Sequence, residues 1–175
     1  IVRNRSICGE NDLASVPATI TVLPPPDATL ASQTNVSCFG GATGAINVAT
    51  TSGTTPYSFA WTPSNEGIIP AGQEDDEDLS MLVAGTYNLL VTDTKGCTDA
   101  LQVVITQPDA ALTATVSAAN LICNQGTTTL IVTASGGTSP YQYSLDNIVF
   151  QSSNAFTVIG GTYTVYVKDA NGCTY

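Results

Sequence analysis

Cysteines are the residues with the most distinctive chemistry in this sequence of 175 residues, where they occupy positions 8, 38, 97, 123 and 173. No two of them form a Cys-x-x-Cys pair, the spacing typical of structural zinc sites and thioredoxin-type redox centres. The sequence contains no histidine, which excludes Ser-His and Cys-His nucleophile pairs and the histidine ligands of zinc sites. The cysteines are therefore predicted to form disulfides, which implies an oxidising compartment.

An acidic run is the second group of residues that could do chemistry. Calcium takes carboxylate oxygens as ligands, so the run could bind Ca²⁺, although it lacks the spacing of an EF-hand loop. A solvated, charged loop is the alternative interpretation. Nothing in the sequence builds a pocket around a carboxylate pair in this run, so we expect no catalytic residue, no enzyme activity and no cofactor apart from this calcium. The run consists of Glu74, Asp75, Asp76, Glu77 and Asp78.

The charge balance excludes several classes of partner. Fourteen Asp and Glu residues stand against four Lys and Arg, which gives a net charge of −10. Phosphate backbones and anionic membrane surfaces attract basic proteins, so we expect neither as a partner. No apolar run approaches the roughly 18 residues that a membrane helix needs, so we also expect no membrane insertion. The chain starts at Ile1 rather than at Met, which suggests an internal segment of a longer or processed polypeptide.

An internal repeat organises the chain. The segment Pro26-Asp27-Ala28 returns as Pro108-Asp109-Ala110, and Gly85-Thr86-Tyr87 returns as Gly161-Thr162-Tyr163. The sequence distance between matching residues is shorter for the Gly-Thr-Tyr pair than for the Pro-Asp-Ala pair. The first unit therefore has extra residues between these two segments, and they include the acidic run. We therefore predict three parts. They are a tail with the last strand of a preceding unit (1–26), a complete unit (27–108) and a second unit without its last strand (109–175).

Four of the cysteines recur with this repeat. Cys38 and Cys97 occupy the same places in the first unit as Cys123 and Cys173 do in the second. We therefore predict one disulfide within each unit, Cys38–Cys97 and Cys123–Cys173. Cys8 is left over, and its expected partner is a cysteine in the absent part of the preceding unit, with a reactive thiol as the alternative.

Short runs of Thr, Val, Ile and Tyr, bounded by Gly, Pro, Asn and Asp, predict an all-β chain. In the first unit Tyr57, Phe59 and Trp61 alternate along one strand, so they share a face that we expect in the core. A sugar-stacking platform on Trp61 is the alternative. About seven short antiparallel strands per unit favour tandem immunoglobulin-like β-sandwiches. The strands predicted in the first unit are 28–36, 45–51, 57–61, 79–84, 86–92 and 100–106.

The end of each unit combines a tyrosine with a turn. Tyr87 and Tyr163 are predicted to fold inward as tyrosine corners, in which the hydroxyl bonds to the backbone just upstream. Asp93 and Asp169 each precede a Gly-Cys pair by three residues, a pattern typical of an Asx-type turn. We interpret both aspartates as turn residues.

The motif Gly-Thr-Tyr-x-x-x-Val-x-Asp-x-x-Gly-Cys, together with Gly-Gly-Thr-Ser-Pro-Tyr at residues 136–141, resembles the SprB repeat. The resemblance covers nearly the whole chain. The second unit departs from the first in having Leu145 in place of Trp61 and Asn-Gln-Gly after its opening cysteine. SprB repeats occur in tandem in very large adhesins of gliding Bacteroidetes. The resemblance therefore implies export to the cell surface, through type IX secretion, and attachment to the outer membrane.

The function we expect is a structural or adhesive stalk segment of such an adhesin. Its partners would be neighbouring repeats of the same chain, with surface glycans or other cells bound by regions outside this sequence. One alternative is a subunit of a surface filament assembled by strand exchange, since the unit at 109–175 lacks its last strand. Another alternative is a calcium- or carbohydrate-binding module attached to a secreted enzyme.

Overall fold

The computed structural model describes residues 22–121 and 126–175, and these residues form β-strands joined by turns. The part of the chain so described has no helix, and so none with the length and hydropathy to cross a membrane. The all-β prediction is confirmed. The strands are β1 Pro26–Thr34, β2 Gly44–Ser52, β3 Ser58–Ser64, β4 Leu79–Leu82, β5 Gly85–Thr92, β6 Thr98–Ile105, β7 Thr113–Ala118, β8 Thr127–Ser135, β9 Gln142–Ser144, β10 Ala155–Ile159 and β11 Tyr166–Lys168.

The first unit is a sandwich of two antiparallel sheets, β1-β2-β4 and β3-β5-β6. Along β5 the side chains of Tyr87, Leu89 and Val91 are buried at every second position, because alternate residues of a strand face the same side. Both sheets contribute to one core. Its buried residues are Ala28, Val36, Ile46, Val48, Trp61, Leu79, Leu82, Tyr87, Leu89, Val91, Val103 and Ile105.

Close packing by β4 of the same sheet and β6 of the opposite sheet explains one glycine. A Cβ at Gly44 would lie 2.8 Å from the Leu82 carbonyl oxygen and 2.8 Å from Cγ2 of Ile105. These distances are too short for real carbon contacts, so no larger residue fits at the start of β2 without displacing its neighbours.

The second unit repeats this plan with fewer and shorter strands. Its sheets are β10-β8-β7 and β11-β9, both antiparallel. The structure thus has six strands in the first unit and, among the described residues, five in the second, where about seven were predicted. The strand β6 has no counterpart in the described part of the second unit. The buried residues of its core are Leu130, Val132, Tyr143, Val158 and Val167.

The predicted disulfide Cys38–Cys97 is wrong, because the structure joins Cys38 to Cys173. Cys38 follows the C-terminal end of β1. The strand leaving Cys97 lies at the opposite end of β1, where the Ala28 N–H donates to the Asp99 carboxylate at 2.8 Å. Nine residues of β1 span about 30 Å, far beyond the roughly 7 Å between Cα atoms that a disulfide tolerates. The predicted disulfide Cys123–Cys173 is wrong as well, because Cys173 is bonded to Cys38. Cys123 itself lies outside the described residues, as do Cys8 and residues 1–21 of the predicted tail.

Candidate functional site at the junction of the two units

A turn in the second unit positions Cys173. This closing turn, residues 169–173, is organised by the Asp169 carboxylate. Its Oδ1 accepts hydrogen bonds from the backbone N–H groups of Asn171 (2.9 Å) and Cys173 (2.8 Å), and its Oδ2 accepts one from Thr138 (2.9 Å). Gly172 supplies the positive φ of 84° that the turn requires. The backbone of Cys173 is therefore fixed by its own unit.

A loop in the first unit presents Cys38. This opening loop, residues 35–43, is closed by a bond from the Gly41 N–H to the Cys38 carbonyl at 2.8 Å. The Ser37 N–H donates to the Thr43 hydroxyl at 2.9 Å. Both Ser37 and Cys38 are half-buried. The opening loop thus holds the Cys38 thiol at the end of the unit that faces its neighbour.

The opening loop and the closing turn meet at the junction of the two units. Cys38 and Cys173 form a disulfide with a Cα–Cα distance of 5.7 Å, inside the usual range. Beside it the Asn171 side-chain amide donates to the Ser37 carbonyl at 2.9 Å. The disulfide connects residues 135 positions apart, one in each unit. It therefore joins two domains rather than two strands of one domain.

The linker between the units is also anchored on both sides. On the first unit, the Val36 N–H donates to the Thr106 carbonyl at 2.9 Å, and the Gly40 N–H donates to the Gln107 side-chain oxygen at 2.7 Å. On the second unit, the Gly137 N–H donates to the Ala110 carbonyl at 2.8 Å. Only Pro108 and Asp109 separate these anchored residues. The short linker, the side-chain hydrogen bond and the disulfide together restrict the two units to an end-to-end arrangement.

The first unit has a closing turn of its own, residues 93–97. The Asp93 Oδ1 accepts from the N–H groups of Lys95 (2.9 Å) and Cys97 (2.8 Å), and its Oδ2 accepts from Thr54 (3.0 Å). Burial raises the pKa of the Asp93 carboxyl, but the backbone N–H donors together lower it by more than burial raises it. The pKa of Asp93 therefore lies below its ordinary value. Among the cysteines that the structure describes, Cys97 is the one without a disulfide.

A comparison with known protein families identifies a part of each unit. The profile of the SprB repeat family matches residues 30–66 and residues 115–150. These two segments are SprB repeats. We call the units that contain them the first and the second SprB repeat. The family is linked to cell-surface adhesins of Bacteroidetes, which supports a general structural role and an association with cell-surface proteins. No curated protein matches the chain.

The acidic run of the first SprB repeat lies on the surface, with all five side chains exposed. Two of them bond to nearby backbone: Asp78 accepts from the Val48 N–H and Glu74 from the Gly72 N–H, both at 2.8 Å. Within residues 22–121 and 126–175, no three His, Cys, Asp or Glu side chains come together as a metal site. The carboxylates of the acidic run are therefore not assembled into a set of calcium ligands in this structure.

The run also covers the tryptophan of the same SprB repeat. The Trp61 indole N–H donates to the Asp76 carbonyl at 2.9 Å, and its backbone N–H donates to the Glu74 carbonyl at 2.9 Å. Trp61 is only 5% exposed. It is therefore a core residue and offers no face for stacking a sugar.

The two predicted tyrosine corners differ in their surroundings. Tyr87 is fully buried, and its hydroxyl donates to the Val83 carbonyl at 2.8 Å while it accepts from the Ile68 N–H at 3.3 Å. Burial raises the pKa of Tyr87. The hydroxyl of Tyr163 makes the corresponding bond to the Ile159 carbonyl at 3.1 Å, but its side chain is 37% exposed.

Sequence reasoning missed the residues that join the two SprB repeats. The sequence predicts turns at Asp93 and Asp169, as the structure has them, but it gives no sign that such a turn presents a cysteine to the adjacent repeat. Strand order offered no signal for this, because Cys38 follows the first strand and Cys97 the fifth. Strict alternation of strand direction would place the ends of both strands at the same end of the repeat, whereas the structure places them at opposite ends.

Proposed function

We propose that this chain is a stalk segment of a large, secreted, non-enzymatic adhesin attached to the outer membrane. Its SprB repeats would follow one another in line and hold binding regions away from the cell. The observation that carries the proposal is the end-to-end junction, in which the disulfide, the Asn171–Ser37 hydrogen bond and the anchored linker fix one repeat on the next. Such a junction suits a spacer, because each added repeat lengthens the structure by the same step.

Two further observations support a structural role over a catalytic one. The sequence provides no histidine, and the described residues contain no converged metal-binding group. The carboxylates with the most hydrogen bonds, Asp93 and Asp169, are occupied by backbone N–H groups that shape turns. These carboxylates therefore stabilise the fold of the chain itself. Glycans or other cells would be bound by other parts of the adhesin.

The arrangement can be tested by small-angle X-ray scattering of the oxidised chain. A single compact globule of this length has a radius of gyration of about 16 Å. Two repeats in line, each built on strands about 30 Å long, should exceed about 20 Å. A value near 16 Å would contradict the stalk arrangement, because it would mean that the repeats pack side by side.

The functional context can be tested on the natural polypeptide. We expect a secreted chain of many hundreds of residues, with tandem SprB repeats, that antibodies label on intact cells. A mature chain near 18.0 kDa that assembles into polymers would instead favour a filament subunit. Labelling only after cell lysis would contradict the surface location.

A further inference from the structure

Head-to-tail contacts use two different surfaces, so every repeat in such a series has one of each. At the observed junction these surfaces are the opening loop of the first repeat and the closing turn of the second. The first repeat also has a closing turn, at its other end, and that turn contains Cys97, which is half-buried and has no disulfide to any residue that the structure describes. This turn faces away from the junction described above.

The two closing turns match bond for bond. The N–H of Cys97 and that of Cys173 each donate to the Oδ1 of the aspartate four residues earlier, both at 2.8 Å. Each aspartate N–H donates back to the cysteine carbonyl, at 2.9 Å for Cys97 and 3.0 Å for Cys173. Gly96 and Gly172 have φ values of 81° and 84°. Cys97 is therefore held in the backbone geometry in which Cys173 reaches the cysteine of the adjacent opening loop.

The neighbouring loops match as well. Thr54 and Thr138 each donate a backbone N–H to the Oδ2 of the turn aspartate, at 3.0 and 2.9 Å. Their carbonyls accept from the residue after that aspartate, at 3.1 and 2.8 Å. At the position of Asn171, which donates to the Ser37 carbonyl across the junction, the first repeat has Lys95, another side chain that can donate to a carbonyl.

We propose that Cys97 forms a disulfide with the opening-loop cysteine of a SprB repeat that precedes this one, reproducing the Cys38–Cys173 bond. The proposal rests on the proposed tandem arrangement and specifies its covalent connections. Each disulfide then crosses a junction, and none lies within a repeat. Applied along a series, the same rule gives every repeat one bond to the repeat before it and one to the repeat after it.

The bond forms by thiol–disulfide exchange with a disulfide oxidant, such as an oxidised dithiol oxidoreductase of the export route. The Cys97 thiolate attacks one sulfur of the oxidant and displaces the other as a thiolate, which gives a mixed disulfide. The opening-loop thiolate then attacks the Cys97 sulfur, and the oxidant leaves as its reduced dithiol. Two thiols lose two protons and two electrons, and the oxidant accepts both electrons.

The test uses the natural full-length polypeptide, treated with N-ethylmaleimide, digested without reduction and mapped by mass spectrometry. We expect the Cys97 peptide linked to a peptide from the opening loop of the preceding repeat, and the Cys38 peptide linked to the Cys173 peptide. An alkylated Cys97 next to an intact Cys38–Cys173 bond would overturn the proposal, and so would a Cys38–Cys97 link.

Paired variants make the assignment specific. Cys97→Ser should add one alkylated cysteine per chain, in the opening loop of the preceding repeat, whereas the matched control Cys173→Ser should add one at Cys38. Alkylation of Cys38 in Cys97→Ser would overturn the proposal. A natural polypeptide without tandem repeats would defeat the proposed function as well. An alkylated Cys97 in a polypeptide that does have them would defeat this inference alone.

Discussion

The two SprB repeats share their junction turns but differ in their cores. In both closing turns the aspartate accepts three backbone N–H groups, at 2.8 to 3.0 Å. The first core buries Trp61 and includes residues of β6, while the second has the half-buried Leu145 at the position of Trp61 and a sheet of only two short strands, β9 and β11. In each closing turn, two of the three hydrogen bonds to the aspartate lie within the turn itself. The shape of the turn can therefore persist while the core behind it changes. The ends of a repeat, rather than its interior, therefore define how it connects.

One of the two largest effects should come from removing the disulfide that joins the two repeats. In the chain-entropy model a disulfide that closes a loop of this size stabilises by up to about 5 kcal/mol. Cys38→Ser should therefore lower the free energy of unfolding by about 2–5 kcal/mol, mainly in the second repeat, whose core is smaller. Urea unfolding followed by hydrogen exchange resolves the two repeats. The matched control Cys97→Ser should change stability by less than about 0.5 kcal/mol in this chain. Equal losses in the two variants would contradict the observed pairing.

The difference between the cores can be tested with truncations at equivalent positions. Trp61→Ala should destabilise the first repeat by about 3–5 kcal/mol, because it removes a buried indole and its hydrogen bond. Leu145→Ala in the second repeat should cost less than about 2 kcal/mol, since this side chain is only half-buried. Denaturant unfolding measured by circular dichroism gives both values. If the two losses were equal, the cores would not differ in the way described.

The tyrosine corners offer a finer comparison. Tyr87→Phe leaves the carbonyl of Val83 and the N–H of Ile68 without their buried partner, so we expect a loss of about 1–3 kcal/mol. Tyr163→Phe removes a bond that water can replace and should change stability by less than about 0.5 kcal/mol. Calorimetric unfolding of the two variants measures the contrast, and a larger loss at Tyr163 would reverse it.

Much of this fold could be predicted from the sequence, and the pairing of its cysteines could not. Alternation placed Tyr57, Phe59 and Trp61 on one strand, and the structure has Trp61 buried with the other two packed against the same core. The cysteine spacings, in contrast, are equally regular whether each bond lies within a repeat or joins one repeat to the next. A shift of the partner by one whole repeat leaves the pattern unchanged. Only the positions of Cys38 and Cys97 at opposite ends of β1 distinguish the two schemes.

The smallest effect concerns pH and the first closing turn. The pKa of Asp93 is below its ordinary value in the folded chain, so its ionised form favours folding. That contribution is fully present above the unfolded pKa of about 4 and is lost as pH falls through the folded pKa. The melting temperature of the first repeat, followed by the fluorescence of its one tryptophan, should therefore fall below about pH 4. Asp93→Asn should melt lower at neutral pH and with a weaker acid dependence. An equally steep acid dependence in this variant would assign the effect to other carboxyls.

The position of the Cys38–Cys173 bond also determines how the chain transmits tension. Strands β2 to β11 all lie between the two cysteines. A pull on the chain therefore passes from Cys38 across the disulfide to Cys173 and does not act along the residues between them, which span a sequence separation of 135. Fully extended, those residues would measure roughly 450–490 Å, and while the bond is oxidised this length cannot be drawn out. Between Cys38 and Cys173 the chain behaves as a tether of nearly fixed length, whose extension is governed by redox state rather than by the strength of strands β2 to β11.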